Sequence, residues 1–253
     1  MRKKDSIKAC GRTIEYEIVF NKKRKRAEIV VRPDLTVELR APWGLKLEVV
    51  RTMVNDKSAW ICKKLDWFEI NKLPNQQKQY TEGEIYLYLG KEYTLKIQNF
   101  ENIKKPFAVI RTSKLTSELT SELIVAVPEG APENLLPLQV KKAIWDFYSK
   151  NAEEKINGIL KIYSKKLGIT PPVFKVKYQK RRWGSCSADN ILRINFQLLM
   201  APPEQLEYVV VHELCHIKEK NHSIKFWQLV GELMPGYEIH RKTLKKEGWQ
   251  YVL

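Results

Sequence analysis

The sequence predicts an α+β fold, β-rich over residues 1–130 with an amphipathic helical segment inside it, and more helical over 131–253. Three observations lead there. Short segments of alternating apolarity crowd the first 130 residues; apolar residues recur at helical spacing beyond Val127-Pro128-Glu129-Gly130; and Gly and Pro punctuate the change between the two patterns.

Residues 14–18 and 27–31 read as strands on either side of a basic turn, Asn21-Lys22-Lys23-Arg24-Lys25-Arg26, and 36–40 as a third. Pro42-Trp43-Gly44 then breaks the pattern. From 46 to 73, Val49, Val50, Met53, Val54, Trp60, Ile61, Leu65 and Phe68 predict one or two amphipathic helices. Strand character returns at 85–89, 93–97, 107–111 and 123–127, while LTSELTSEL (115–123) reads as a hairpin tip. Val140, Ile144, Phe147, Tyr148, Ile156, Ile159, Leu160 and Tyr163 mark a long helix over 138–167 that Gly168 closes. Residues 173–178 and 191–196 alternate as strands, the second preceded by the turn Ala188-Asp189-Asn190. A further helix spans 206–220, with Pro202 and Pro203 in its first turn, where proline is tolerated.

Composition narrows the function classes. Hydrophobic residues make up 43% and charged residues 29%, a globular rather than a disordered balance. No run of about 18 apolar residues exists to span a membrane, and the basic N-terminus lacks the apolar stretch of a signal peptide, so a cytoplasmic protein is expected. Cys10, Cys62, Cys186 and Cys215 lie far apart with no CxxC pair, which fits reduced thiols. Lys plus Arg exceed Asp plus Glu by 45 − 29 = 16, a balance that could draw nucleotides or nucleic acid. The charge is spread along the chain rather than gathered in a tail, which equally suits a solvated surface.

The chemistry concentrates in His212-Glu213-Leu214-Cys215-His216. On a helix, imidazoles at i and i+4 share one face about 6 Å apart, and one tetrahedral ion can bridge them. Glu213 projects about 100° away, off the ion but within reach of a water on it. Three of the four histidines fall between 212 and 222, which makes His222 the candidate third ligand. A continuous helix would carry His222 roughly 15 Å along the axis from His212. The helix must therefore end, with Asn221 as a left-handed terminator and Ser223 as the next N-cap. Glu232 or Glu238 is the alternative third ligand; His240 reads as a surface or neighbouring residue. Metzincins place a histidine at the same offset but carry glycine where this chain has Glu219.

Arg181-Arg182-Trp183-Gly184-Ser185-Cys186-Ser187 matches no common nucleophile motif. It reads as a tight turn between strands, with Trp183 buried and Gly184 supplying an unusual backbone angle. Arg182 or Asn195 could still polarise a substrate carbonyl or hold an extended peptide.

Together RRWGSCS, RINFQLL, VVVHELCHIKEKNHSIKFW and MPGYEIHRKTLK resemble the YgjP-like metallopeptidase group, close to the SprT-like zinc proteases. VELRAPWG, SAWICKKL and GEIYLYLGKEYTLKI extend the resemblance through the N-terminal half. It implies a zincin-like domain with a backing helix, a small sheet and a metal helix. It also implies one Zn2+ on His212, His216 and His222, and Glu213 as the general base of a peptidase acting on peptides or proteins. Some members of the group are described as acting on nucleoside triphosphates. A nucleotide phosphohydrolase with Lys180, Arg181 and Arg182 steering phosphates is thus the second reading, although no P-loop is present. A basic DNA-associated module is the third.

Overall fold

A computed structural model describes residues 2–32, 34–70, 78–115 and 118–253. It divides into two compact units, Met1–Gln76 and Gln77–Leu253.

In the first unit, strands β1 (Arg2–Ala9), β2 (Arg12–Asn21), β3 (Glu28–Val31) and β4 (Val37–Pro42) form a sheet ordered β1-β2-β4-β3. The β2–β4 pair is parallel and the outer pairs antiparallel. Helices α1 (Leu47–Asp56) and α2 (Ser58–Ile70) follow. Alternation delivers Ile14, Tyr16 and Ile18 of β2, with Leu39 and Ala41 of β4, to one apolar cluster, and Val50, Val54, Ile61 and Leu65 of the helices complete it. Strand β1 is an edge strand that periodicity does not reveal, because RKKDSIKA has almost no apolar face. The predicted helical run past residue 70 lies outside the described residues.

The thiols of this unit are not free, contrary to the expectation of reduced cysteines: Cys10 and Cys62 form a disulfide. Spacing along the chain hides the pair, which is 52 residues apart, because it is the fold that brings the β1–β2 turn against α2. Arg12 fixes the same docking by donating to Asp66, Glu69 and the carbonyl of Cys62. A Cys10→Ser variant should lose about 2–4 kcal/mol of stability in this unit, the amount expected for so long a closed loop. Urea unfolding with and without reductant checks this; the reductant should destabilise the wild type and leave the variant unchanged.

The second unit opens with β5 (Ile85–Tyr88), β6 (Lys91–Phe100), β7 (Phe107–Leu115) and β8 (Glu118–Pro128), ordered β5-β6-β8-β7. This is the topology of the first sheet over again, with a parallel central pair and antiparallel outer pairs. The opening hairpins match in detail: Cys10-Gly11 and Leu89-Gly90 both sit at positive φ, as a two-residue type I′ turn requires. The LTSELTSEL segment belongs mostly to β8; the link it was expected to form, residues 116–117, lies outside the described residues.

Long helix α3 (Leu136–Lys166) backs the unit and ends, as the sequence predicts, with Gly168 at φ +65°. A small sheet ordered β10-β11-β9 follows, from β9 (Phe174–Lys177), β10 (Gly184–Cys186) and β11 (Leu192–Asn195), and then helices α4 (Pro203–Cys215), α5 (Ile224–Leu233) and α6 (Tyr237–Glu247). One apolar cluster runs through all of these: Leu95, Leu123 and Val125 of the β5–β8 sheet share it with Val140 and Ile144 of α3 and Val210 of α4. The change of pattern near residue 130, where the sequence also suggests a domain boundary, thus falls inside the second unit, which begins at Gln77. The turn after β5 is also tied down by Leu89 N–H donating to the Leu199 carbonyl at 2.6 Å. A change of periodicity marks a change of element, not of core.

Candidate metal centre

Helix α4 is buried along Val209, Val210, Val211, Leu214 and Cys215, and this fixes its rotation so that His212 and His216 emerge on one face. The helix stops at Cys215, earlier than the predicted 220, and His216 is its cap residue. Backbone N–H groups of Lys218 and Glu219 both donate to the Cys215 carbonyl, folding the chain back. Asn221 does not take the left-handed conformation expected of it; its side chain instead accepts from Ser223 N–H at 3.2 Å. Ser223 caps α5, as predicted, by accepting from Phe226 N–H.

This reversal returns His222 to the other two histidines. Ligand atoms of His212, His216 and His222 lie within 4.8 Å of one another, and the His212 and His222 Nε2 atoms face each other at 3.0 Å. Glu232, Glu238 and His240 are not part of that group. His216 donates from Nδ1 to the Glu219 carbonyl at 3.0 Å, which leaves Nε2 with its lone pair free. The His212 Nδ1 is buried without a partner, so its ring is held by packing against Phe226, 4.9 Å between centroids. Burial holds the His212 imidazole down at about 3, helped by the neighbouring histidines and Arg241, and burial also lowers His222. Three converging imidazole nitrogens suit a Zn2+ ion, whose nitrogen ligands must be deprotonated.

Glu213 is 6% exposed. Burial pushes its carboxyl up to about 7, against the opposing pull of the Arg182 charge and of a hydrogen bond from the Cys186 backbone N–H. The reason for RRWGSCS is visible here: its first part, at Arg181, lies in the expected turn between β9 and β10, but the rest does not. Gly184–Cys186 is a strand, and Gly184 has no unusual φ. What the position needs is space: a Cβ on Gly184 would lie 2.6 Å from Glu213 Cγ and 2.7 Å from Oε1. Glycine lets the β10 backbone lie against the carboxylate and donate to it.

Trp183 is half-buried, 6.0 Å between ring centroids from Tyr251 and packed on Gly248. Asn195 is 1% exposed. Its Nδ2 donates to the Gln179 carbonyl at 2.9 Å and to that of Arg182 at 3.4 Å, so it fixes the loop before β10. Two further residues were missed in the sequence. Tyr208 and Arg241 line a cleft of about 260 Å3 with Trp183, Gly184, His212 and Glu213. Arg241 stacks its guanidinium 4.2 Å from the Trp227 ring centroid, and Tyr208 stands one turn before His212 on α4. Helical spacing from His212 could have found Tyr208; only the fold brings Arg241 to the cleft.

Residues 25–247 match a family model described as YgjP-like, metallopeptidase domain. Comparison with curated proteins finds no match. Two solved structures similar to this chain are metallopeptidase zymogens. Abylysin of Pyrococcus abyssi is 23% identical over 37% of this chain and 95% of its own, at TM-score 0.34. Jannalysin of Methanocaldococcus jannaschii is 29% identical over 36% of this chain and 91% of its own, at TM-score 0.32.

Proposed function

The chain belongs to the YgjP-like metallopeptidase family, and from that premise we propose that it is a zinc-dependent peptidase with one Zn2+ held by His212, His216 and His222. The observation that carries this reading is the convergence of the three histidines beside a buried carboxylate that Gly184 admits. A zinc bound there would acidify a water toward neutral pH and polarise a carbonyl oxygen.

The chain's own residues divide the remaining work. Glu213, with a carboxyl near 7, is matched to take a proton from the attacking water at neutral pH and hand it to the leaving amine. The Cys186 N–H orients that carboxylate. Arg241, a cation in the same cleft, is placed to stabilise negative charge on the former carbonyl oxygen, and its stacking on Trp227 limits its freedom. Helix α4, buried on its other faces, keeps His212, Glu213 and its cap residue His216 in fixed register. No helix among the described residues is long and apolar enough to cross a membrane.

Incubating the zinc-loaded protein with a mixed peptide library and reading new termini by mass spectrometry tests the reaction class. Cleavage that chelator removes and zinc restores is expected. Intact peptides, with hydrolysis of a nucleoside triphosphate by the same preparation, would instead support the phosphohydrolase reading.

A further inference from the structure

Beyond Trp183, a second groove of about 410 Å3 adjoins the metal cleft, and the two share Trp183, Leu244 and Lys245 as lining. Its polar wall is one-signed. Lys180, Arg181, Arg182 and Lys245 line it, and no carboxylate does. Among the described residues none of these four makes an ion pair, although the chain forms such pairs in many other places. Gln197 also lines the groove, 5% exposed, with Nε2 buried and without a hydrogen-bond partner.

The cations are carried on a braced segment. Asn195 grips the Gln179 and Arg182 carbonyls with its side chain and donates its own N–H to the Trp183 carbonyl at 2.8 Å. Gln179 Nε2 donates in turn to the Arg193 carbonyl at 3.2 Å. The backbone bearing Lys180, Arg181 and Arg182 is thereby fixed before any ligand arrives, which lowers the ordering cost of binding. Trp183, packed on Tyr251 and Gly248, supplies an apolar wall between the groove and the carboxylate of Glu213.

We infer that this groove is a specificity subsite that selects an acidic side chain, Asp or Glu, beside the scissile bond of a peptide substrate; the inference rests on the peptidase reading above. Guanidinium groups meet a single carboxylate with paired, charge-assisted hydrogen bonds. A nucleotide fits less well. Among the described residues that line the groove there is no helix N-terminus or glycine-rich loop to cradle a phosphate chain, and the C-terminal end of α6, at Leu244, Lys245 and Gly248, opposes the several charges of a triphosphate more than the single charge of one carboxylate. A peptide crossing the cleft at Glu213 places the neighbouring side chain within the shared wall at Trp183.

The test uses two labelled peptides that differ only in Glu or Gln beside the bond cut, titrated by fluorescence anisotropy onto the zinc-loaded Glu213→Gln protein. The Glu peptide should bind about tenfold more tightly, a difference of roughly 1.4 kcal/mol. That preference should shrink with added salt and disappear in the Lys180→Ser/Arg181→Ser protein, which should keep its affinity for the Gln peptide. Equal affinities, or a preference that survives the double substitution, overturn the inference. So does displacement of the Glu peptide by a nucleoside triphosphate at concentrations where a free acidic peptide does not displace it. Cleavage of both peptides by the wild type separates the two readings: equal cleavage removes the subsite and leaves the peptidase. Selective binding without cleavage keeps the groove's preference and removes the peptidase.

Discussion

Glu213→Gln should lower peptide turnover by about three orders of magnitude, the middle of the range for loss of a general base, and leave zinc bound. The same substitution should stabilise the metal-free protein at pH 8. The glutamate titrates near 7 in the fold and at 4.5 when unperturbed. Its folded pKa is thus raised, so its contribution is fully present below 4.5 and is lost as pH rises through 7. That separation corresponds to roughly 3 kcal/mol of cost for the ionised carboxylate at pH 8, which a neutral amide of the same shape removes. His212 works in the opposite direction, since its depressed pKa costs stability as pH falls from 6.5 toward 3, but it is common to both proteins and cancels. Urea unfolding of metal-free wild type and variant should therefore diverge at pH 8 and converge at pH 4.5. Equal stability at both pH values would show that the carboxylate is not desolvated as the fold places it.

Gly184→Ala is the second large effect, at a position that supplies no reacting side chain. The new methyl would stand 2.6 Å from Glu213 Cγ, closer than side chains tolerate, and neither side yields easily. Strand β10 is pinned to β11 through the Gly184↔Ile194 register, and Glu213 is enclosed by its own helix. The carboxylate must swing away from the Cys186 N–H and from the water it should deprotonate. Turnover should fall by about a hundredfold or more, the scale of a misplaced catalytic group, with about 1–3 kcal/mol of overpacking cost in thermal unfolding. Zinc stoichiometry should not change, because all three histidines lie elsewhere. A variant with wild-type turnover would contradict the close approach.

Much of this fold is legible in the sequence because periodicity and punctuation report local structure directly. Strands β2 to β9 and β11, the long α3 and its Gly168 stop follow from alternation, helical spacing and a positive-φ glycine. What escapes is set by contacts between distant segments. Strand β1 is charged and exposed, so no apolar face announces it. Cys10 and Cys62 look isolated until a hairpin tip meets a helix. The repeated sheet topology lives in strand pairing, and in the sequence it shows in punctuation, Cys10-Gly11 against Leu89-Gly90 at the first hairpins and Pro42-Trp43-Gly44 against Pro128-Glu129-Gly130 at the ends of β4 and β8.

The site divides the same way. The i, i+4 histidines and the capping Ser223 are local signals, and they put His212 and His216 on one face and start α5 where the structure has it. The turn that returns His222 is made by Cys215 accepting two backbone N–H groups, which leaves no residue-type signature, and so Asn221 drew the assignment wrongly. Gly184 carries a signal that is easily misread: glycine marks either an unusual φ or a close approach, and only the position of Glu213 tells which.

The central claim is a three-histidine zinc centre served by Glu213, and zinc binding measured by mass spectrometry after equilibrium dialysis tests it most directly. Wild type and Glu213→Gln should each hold about one zinc per chain, and His222→Ala should bind at least about a hundredfold more weakly for loss of one ligand. A His222→Ala protein with undiminished stoichiometry and affinity would contradict the account.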